Sequence, residues 1–324
     1  MGLSTSIYMK KSPQITFFML VTDRDCIIAD FAIKSYNKIY HRNQAFGGKD
    51  FVLYIYLNNL SEENKTYYLE KWANYPYTNL YDNTGKLNSL AEKPYPGQMV
   101  TSPEGISRQV EGYNELCDEL WTTELKKIDT PYIATVDADF EILNADFYFY
   151  LISQLSKNPS LIGASTCYSA TSPQPIYDSY SNRKIILQER NHTWFCIYKL
   201  EAFNLCNGSH YYYEEIDSSN QIVAYDSAAY FQQHLRKKGF NFIHCPVFYY
   251  NSYIHYGAAS KNKTLNRTNI SYYRNAFLLT SKGIFRGNTL FSKMTNKLIR
   301  KIATPLFKNY LDRKNYERST YITA

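Results

Sequence analysis

None of the six cysteines in this sequence, at positions 26, 117, 167, 196, 206 and 245, falls into a C-x-x-C pair. Their scatter offers neither a zinc knuckle nor a thioredoxin-like redox site, and reads as reduced core thiols of a cytosolic protein. Long apolar runs are missing too. The longest, Ile15 to Val21, is interrupted by Thr16 and falls far short of the ~20 residues a membrane helix needs. No signal-peptide pattern precedes it, so a cytoplasmic location is expected. N-x-[ST] triplets such as Asn191-His192-Thr193 are then by-products of an Asn-rich chain. Clusters of Lys and Arg are scarce before residue 290, which excludes a nucleic-acid face spread over the fold despite a formal net charge of +7. No internal repeat and no clear linker interrupts the chain.

What is present is a globular balance: 44% hydrophobic and 20% charged residues over 324 positions, with 33 tyrosines. The apolar runs have strand length and do not alternate, as expected of strands covered on both faces. Ile15–Val21 is followed by an amphipathic stretch at 27–40, Phe51–Leu57 by a helix at 62–72, and a helix at about 109–128 by a strand at 132–136. Further helices are expected at 145–155 and 227–238, the latter closed by Gly239, and further strands at 161–166 and 242–250, the last an edge strand because it contains Pro246. Residues 81–107 and 169–184 read as irregular loops. This strand-helix rhythm predicts an α/β fold with a mostly parallel central sheet flanked by helices, in one domain over 1–285. A basic amphipathic helical tail follows over 286–324.

The sharpest local signal is Asp137-Ala138-Asp139, directly after the apolar strand 132–136. Open α/β sheets bind ligands just beyond the carboxyl ends of their strands. Two carboxylates there offer hard oxygen ligands for Mg²⁺ or Mn²⁺, which can bridge a diphosphate. An Asp-rich turn is the plainer alternative.

The order strand, D-x-D, helix resembles the nucleotide-sugar-binding, Rossmann-like half of the GT-A fold, and Thr130 to Phe140 is similar to the corresponding segment of family 2-like inverting glycosyltransferases. The resemblance implies that Thr22, Asp23 and Arg24, at the end of the first strand, line the nucleotide, with Asn58 standing where the family has a carboxylate. Asp137 and Ala138 would lie against the ribose or donor sugar, and Asp139 would hold the metal. His255, in Tyr253-Ile254-His255-Tyr256-Gly257, matches a His that completes the metal shell in similar enzymes. Asp226, before the helix that ends at Gly239, would be the catalytic base. It can equally be a helix N-cap, and Glu214, Glu215 or Asp217 could replace it. Tyr225 occupies the position of the family's Glu and, with Trp194, would face the acceptor; Trp194 also suits a core strand.

These expectations together describe a metal-dependent glycosyltransferase taking a nucleoside-diphosphate sugar, UDP in preference to GDP, and a hydroxyl acceptor such as a glycan or lipid-linked saccharide, with inversion. Its tail would make peripheral contact with an anionic membrane. The alternatives are a metal-dependent sugar nucleotidyltransferase, which usually needs a Gly-rich loop that Thr22-Asp23-Arg24 does not provide, and a non-catalytic glycan- or membrane-binding relative.

Overall fold

A computed structural model of the chain describes residues 14–23, 25–45, 51–58, 60–82, 98–110, 112–124, 127–178, 183–206, 209–257, 270–271 and 274–275. Arg24 and the expected tail lie outside the described residues. Seven strands build the main sheet: β1 (Ile15–Thr22), β2 (Phe51–Asn58), β3 (Thr78–Asp82), then, leaving out the two strands of a hairpin, β6 (Tyr132–Asp137), β8 (Leu161–Ser165), β13 (Phe195–Lys199) and β16 (Asn241–His244). Their order across the sheet is β16-β8-β13-β6-β1-β2-β3. All neighbours pair in parallel except β13, which runs antiparallel to both β6 and β8. The expected mostly parallel sheet is therefore present.

Side-chain alternation divides the core between the two faces of this sheet. Ile15, Phe17, Met19 and Val21 of β1 point to one side, with Ala134, Val136, Phe195 and Ile197, and pack against helices α1 (Cys26–Ser35), α3 (Glu62–Ala73) and α5 (Asp146–Lys157). Phe18, Ile133, Cys196 and Tyr198 point to the other, against α4 (Gly112–Thr123) and α7 (Ala229–Lys237). The Ile, Phe, Met and Val side chains among them contribute about 1.5–3 kcal/mol each.

Several expected elements are revised. The helix over 27–40 is two, since a turn at Tyr36 separates α1 from α2 (Asn37–Ala45). The helix expected from 109 begins only at Gly112, because residues 107–110 extend the hairpin β4 (Gln98–Thr101) and β5 (Ser107–Val110) out of the expected loop 81–107. Residues 169–184 are not a bare loop. They supply β10 (Ile176–Asp178) and the start of β11 (Arg183–Leu187), which with β14 (Tyr213–Ile216), β15 (Ile222–Tyr225), β5 and β4 form a second, six-stranded sheet. The last main-sheet strand ends at His244, not 250: Cys245 donates its N–H to the Ser165 carbonyl at 3.0 Å, and Pro246, lacking an N–H, turns the chain into a 3₁₀ helix at Val247–Asn251. As expected, that strand is at the sheet edge, and Gly239 closes α7 at φ 89°.

Gln232 of α7 is fully buried and ties that helix to the segment preceding β13. Its side chain accepts the Asn191 N–H at 2.8 Å and donates to the Asn191 carbonyl at 2.8 Å and the Tyr198 hydroxyl at 3.1 Å. Replacing it by Leu leaves two buried backbone groups unpaired, so Gln232→Leu should lose about 2–5 kcal/mol in urea unfolding. A change below about 0.5 kcal/mol would show that the network does not secure the segment.

Candidate metal centre

The chain crosses from β3 back past β1 to β6, so the order of the sheet reverses between β1 and β6. In an open sheet such a switch point leaves a crevice at the carboxyl ends of the strands. Asp137 is the last residue of β6, and Asp139 follows in the turn before β7 (Phe140–Ile142). His255 ends β17 (Tyr253–His255), which pairs antiparallel with β7 and sets His255 opposite Phe140. A backbone bond from Tyr256 N–H to the Asp139 carbonyl, 3.0 Å, closes this small ribbon. Two distant parts of the sequence are thereby brought to one point.

At that point His255 Nε2 lies 3.1 Å from Asp139 Oδ1 and 3.2 Å from Asp137 Oδ2. One imidazole nitrogen carries one proton, so a proton can serve only one of the two carboxylates well. A divalent cation would serve both and the nitrogen as well. The spacing agrees with that, since neighbouring ligands of an octahedral ion at ~2.1 Å stand about 3 Å apart. Two hard oxygens and one imidazole suit Mn²⁺ or Mg²⁺. Asp139 and His255 side chains are 10% and 11% exposed, whereas Asp137 is 32% exposed, so the centre opens on the Asp137 side.

Electrostatics keeps the three groups together without a metal. Burial opposes a charge on His255, but Asp139 and Asp137 outweigh it and hold the imidazolium up to about 9. Trp194 stacks on the same ring with centroids 4.0 Å apart and planes 20° apart, and His192 lies against Trp194 at 4.2 Å. The Trp194 ring, expected at an acceptor platform, is thus packed on the imidazole of the centre.

A small cavity of about 40 Å³ is lined by Asp137 together with Leu20, Trp121, Thr135, Thr193 and His210. It has room for about three waters. His210 is buried there, and burial pushes it down to about 4 against the pull of Asp137 and Asp226. Both carboxylates therefore act on the same imidazole. Asp226 is not the N-cap of α7: that residue is Ala228, in the left-handed region at φ 60°. Its carboxylate instead accepts the Ser227 N–H at 2.7 Å and pairs with Arg190 at 2.7 Å.

The rival carboxylates are committed elsewhere. Glu214 receives Arg183 at both oxygens, 2.7 Å each, Glu215 accepts the Tyr225 hydroxyl at 2.5 Å, and Asp217 accepts the N–H groups of Ser219 and Gln221 in the β14–β15 turn. Tyr225 is accordingly buried in the second sheet. Along the carboxyl edge, Thr22 donates its hydroxyl to Asp25 at 2.7 Å, and Asp23 accepts the Ser61 N–H at 2.7 Å and the Asn64 amide at 2.9 Å. Asp23 braces β1 to α3, and although burial works against its charge, these donors keep it below the usual carboxylate range. Asn58, opposite Thr22, is buried, and its Oδ1 has no hydrogen-bond partner among the described residues. Ala138 is a buried turn residue. Arg190, His210 and Glu141, a buried acid two residues past Asp139, were not legible beforehand. Only Glu141 carried a signal, as a charge inside an apolar segment.

Neither a family model nor a curated protein matches the sequence. Among solved structures, the chain is similar to a mannosyltransferase from Pyrobaculum calidifontis in complex with GDP-Man and Mn²⁺, at 12% identity and a TM-score of 0.42 over 90% of this chain and 69% of that one. It is also similar to an S. cerevisiae mannosyltransferase in complex with GDP, at 12% identity and a TM-score of 0.36 over 72% of this chain and 63% of that one. A third is mouse xyloside xylosyltransferase 1, at 13% identity and a TM-score of 0.31 over 59% of this chain and 68% of that one. All three are glycosyltransferases. Among the described residues, no helix is long and apolar enough to cross a membrane.

The His255 shift fixes a pH dependence. Its folded value of about 9 lies above the ordinary 6.5, so its contribution is complete below 6.5 and is lost as pH rises through 9. In EDTA, the stability difference between the wild type and His255→Gln should shrink by on the order of 2 kcal/mol from pH 7 to 9.5. Chemical denaturation of both proteins checks it, and a constant difference would contradict the assignment.

Proposed function

We propose that this protein is a metal-dependent glycosyltransferase that moves a sugar from a nucleoside diphosphate to a hydroxyl acceptor, a glycan or lipid-linked saccharide, with inversion. The observation that carries this reading is the convergence of Asp137, Asp139 and His255 on one point at the carboxyl edge of the sheet, beside its switch point. Asp139 and His255 would hold Mn²⁺ or Mg²⁺, with Asp137, at the more open side, nearer the ribose or donor sugar. When bound, the ion offsets the charge of the departing diphosphate.

Thr22, Asp23 and Ala138 lie at the carboxyl ends of β1 and β6 and, with Arg24, would frame the nucleotide. Asn58 fits that role, because its buried amide oxygen would accept a donor from the ligand. Asp226 would take the proton of the acceptor hydroxyl as its oxygen bonds the anomeric carbon and the bond from that carbon to the diphosphate breaks. Arg190, 2.7 Å away, fixes the orientation of that carboxylate. Trp194 would flank the acceptor side through its stack on His255, with Tyr225, held in the second sheet by Glu215, as a backing residue one position before Asp226.

A thermal-shift screen of UDP-, GDP- and CMP-sugars with and without Mn²⁺ tests the reading and identifies the base. At least one donor should raise the melting temperature only when Mn²⁺ is present; no metal-dependent shift with any donor would refute it. With that donor, Asp226→Asn should keep the shift and lose transfer by about 10²-fold or more. Full activity in that variant would remove Asp226 as the base.

A further inference from the structure

We infer that Arg274, far beyond the centre in sequence, is a positioning residue for the metal ligand His255, acting through Glu141 and Tyr256. The inference rests on the reading of Asp137, Asp139 and His255 as a metal centre. Glu141 stands in β7, two residues past Asp139, and its side chain is 3% exposed. A carboxylate buried to this degree is strongly destabilising unless it is paired and fully hydrogen-bonded. Three donors meet it. Arg274 approaches with Nε at 2.8 Å and a terminal guanidinium nitrogen at 2.5 Å, and the Tyr256 hydroxyl donates at 2.5 Å. The guanidinium also lies over the Phe31 ring of α1, 5.4 Å from its centroid.

The ribbon that carries His255 is minimal: β7 and β17 are three residues each, too short to be stable as an isolated pair. In its register Ile254 faces Glu141 and His255 faces Phe140, and Tyr256 is the next residue after His255. The Arg274–Glu141–Tyr256 cluster therefore fastens the ribbon on the side chain adjoining the ligand. Without Arg274, the buried Glu141 carboxylate loses two of its three donors, and the ribbon loses this fastening at the end that carries His255.

Electrostatics and positioning make opposite predictions here. Removing a nearby cation leaves the centre more negative and, by charge alone, should tighten binding of a divalent ion. Loss of position should weaken it. Mn²⁺ binding to the full chain, followed by calorimetry or by the EPR signal of free Mn²⁺, separates the two. Arg274→Gln should weaken Mn²⁺ by about 10-fold or more, within the range of substitutions that support metal ligands. The double variant Glu141→Gln/Arg274→Gln, which removes the stranded charge, should recover to within about threefold of wild type. Unchanged or tighter Mn²⁺ binding by Arg274→Gln would overturn the inference, as would a lowered melting temperature with unchanged Mn²⁺ affinity at 10 °C. Should Arg274→Gln not fold, the double variant and Arg274→Lys decide the matter: unchanged affinity in both overturns it, and recovery in the double with weakening in the Lys variant supports it. Absence of Mn²⁺ binding to the wild type would instead refute the metal reading itself.

Discussion

Two carboxylates and an imidazole sharing one point is an arrangement that a folded chain must actively maintain. Asp137 and Asp139 repel each other, and with no cation between them the cluster holds because His255 takes up a proton and balances one of the charges. The rest of the site follows from that constraint. Asp137 has to end a strand at the middle of the sheet, Asp139 has to sit in a tight turn directly after it, and His255 has to return from the far part of the chain on a ribbon three residues long. Trp194 presses on the imidazole face, and Glu141 with Tyr256 and Arg274 fastens the ribbon behind it.

A second arrangement of charge involves Asp226. Arg190 and Asp226 form a pair at the start of α7, and the buried neutral His210 feels both Asp226 and Asp137. The segment carrying Arg190 is secured from the next residue, since Asn191 is bonded to Gln232, Ser165, Ile243 and Arg236. The antiparallel strand β13 thus does more than fill the sheet. It brings the Arg190-to-Trp194 segment to the same edge as Asp137, and its register places the chain so that Asp137 N–H bonds the Trp194 carbonyl at 3.0 Å. A sheet with every strand parallel would have sent that segment to the opposite edge.

Much of this was readable in the residues because local rules decide it. Continuous apolar runs at 15–21, 51–57 and 132–136 became the three adjacent strands β1, β2 and β6, and a D-x-D after the last of them could only fall at the carboxyl edge. His255 was legible through its likeness to a known arrangement, and α7 through its helical pattern and closing Gly239. What local patterns do not show depends on long-range pairing. The second sheet draws strands from residues 98–110, 176–187 and 213–225, whose short polar and aromatic stretches have no periodicity of their own. Arg274 and Arg190 gave no signal, because a surface cation and one matched to a buried acid look alike in a sequence. The alternative of Asp226 as a helix cap fails on a local detail that the residues do not announce, since the first helical turn starts later, after Ala228 in the left-handed region.

The central claim is that His255 and Asp139 bind one divalent cation directly. Pulsed EPR on the Mn²⁺-loaded protein tests it, because a coordinated imidazole imposes a nitrogen coupling on the metal that bound water does not. The account predicts a single bound Mn²⁺ with one such coupling in the wild type, lost in His255→Gln. Mn²⁺ bound without any nitrogen coupling, or with a coupling that survives in His255→Gln, would contradict it.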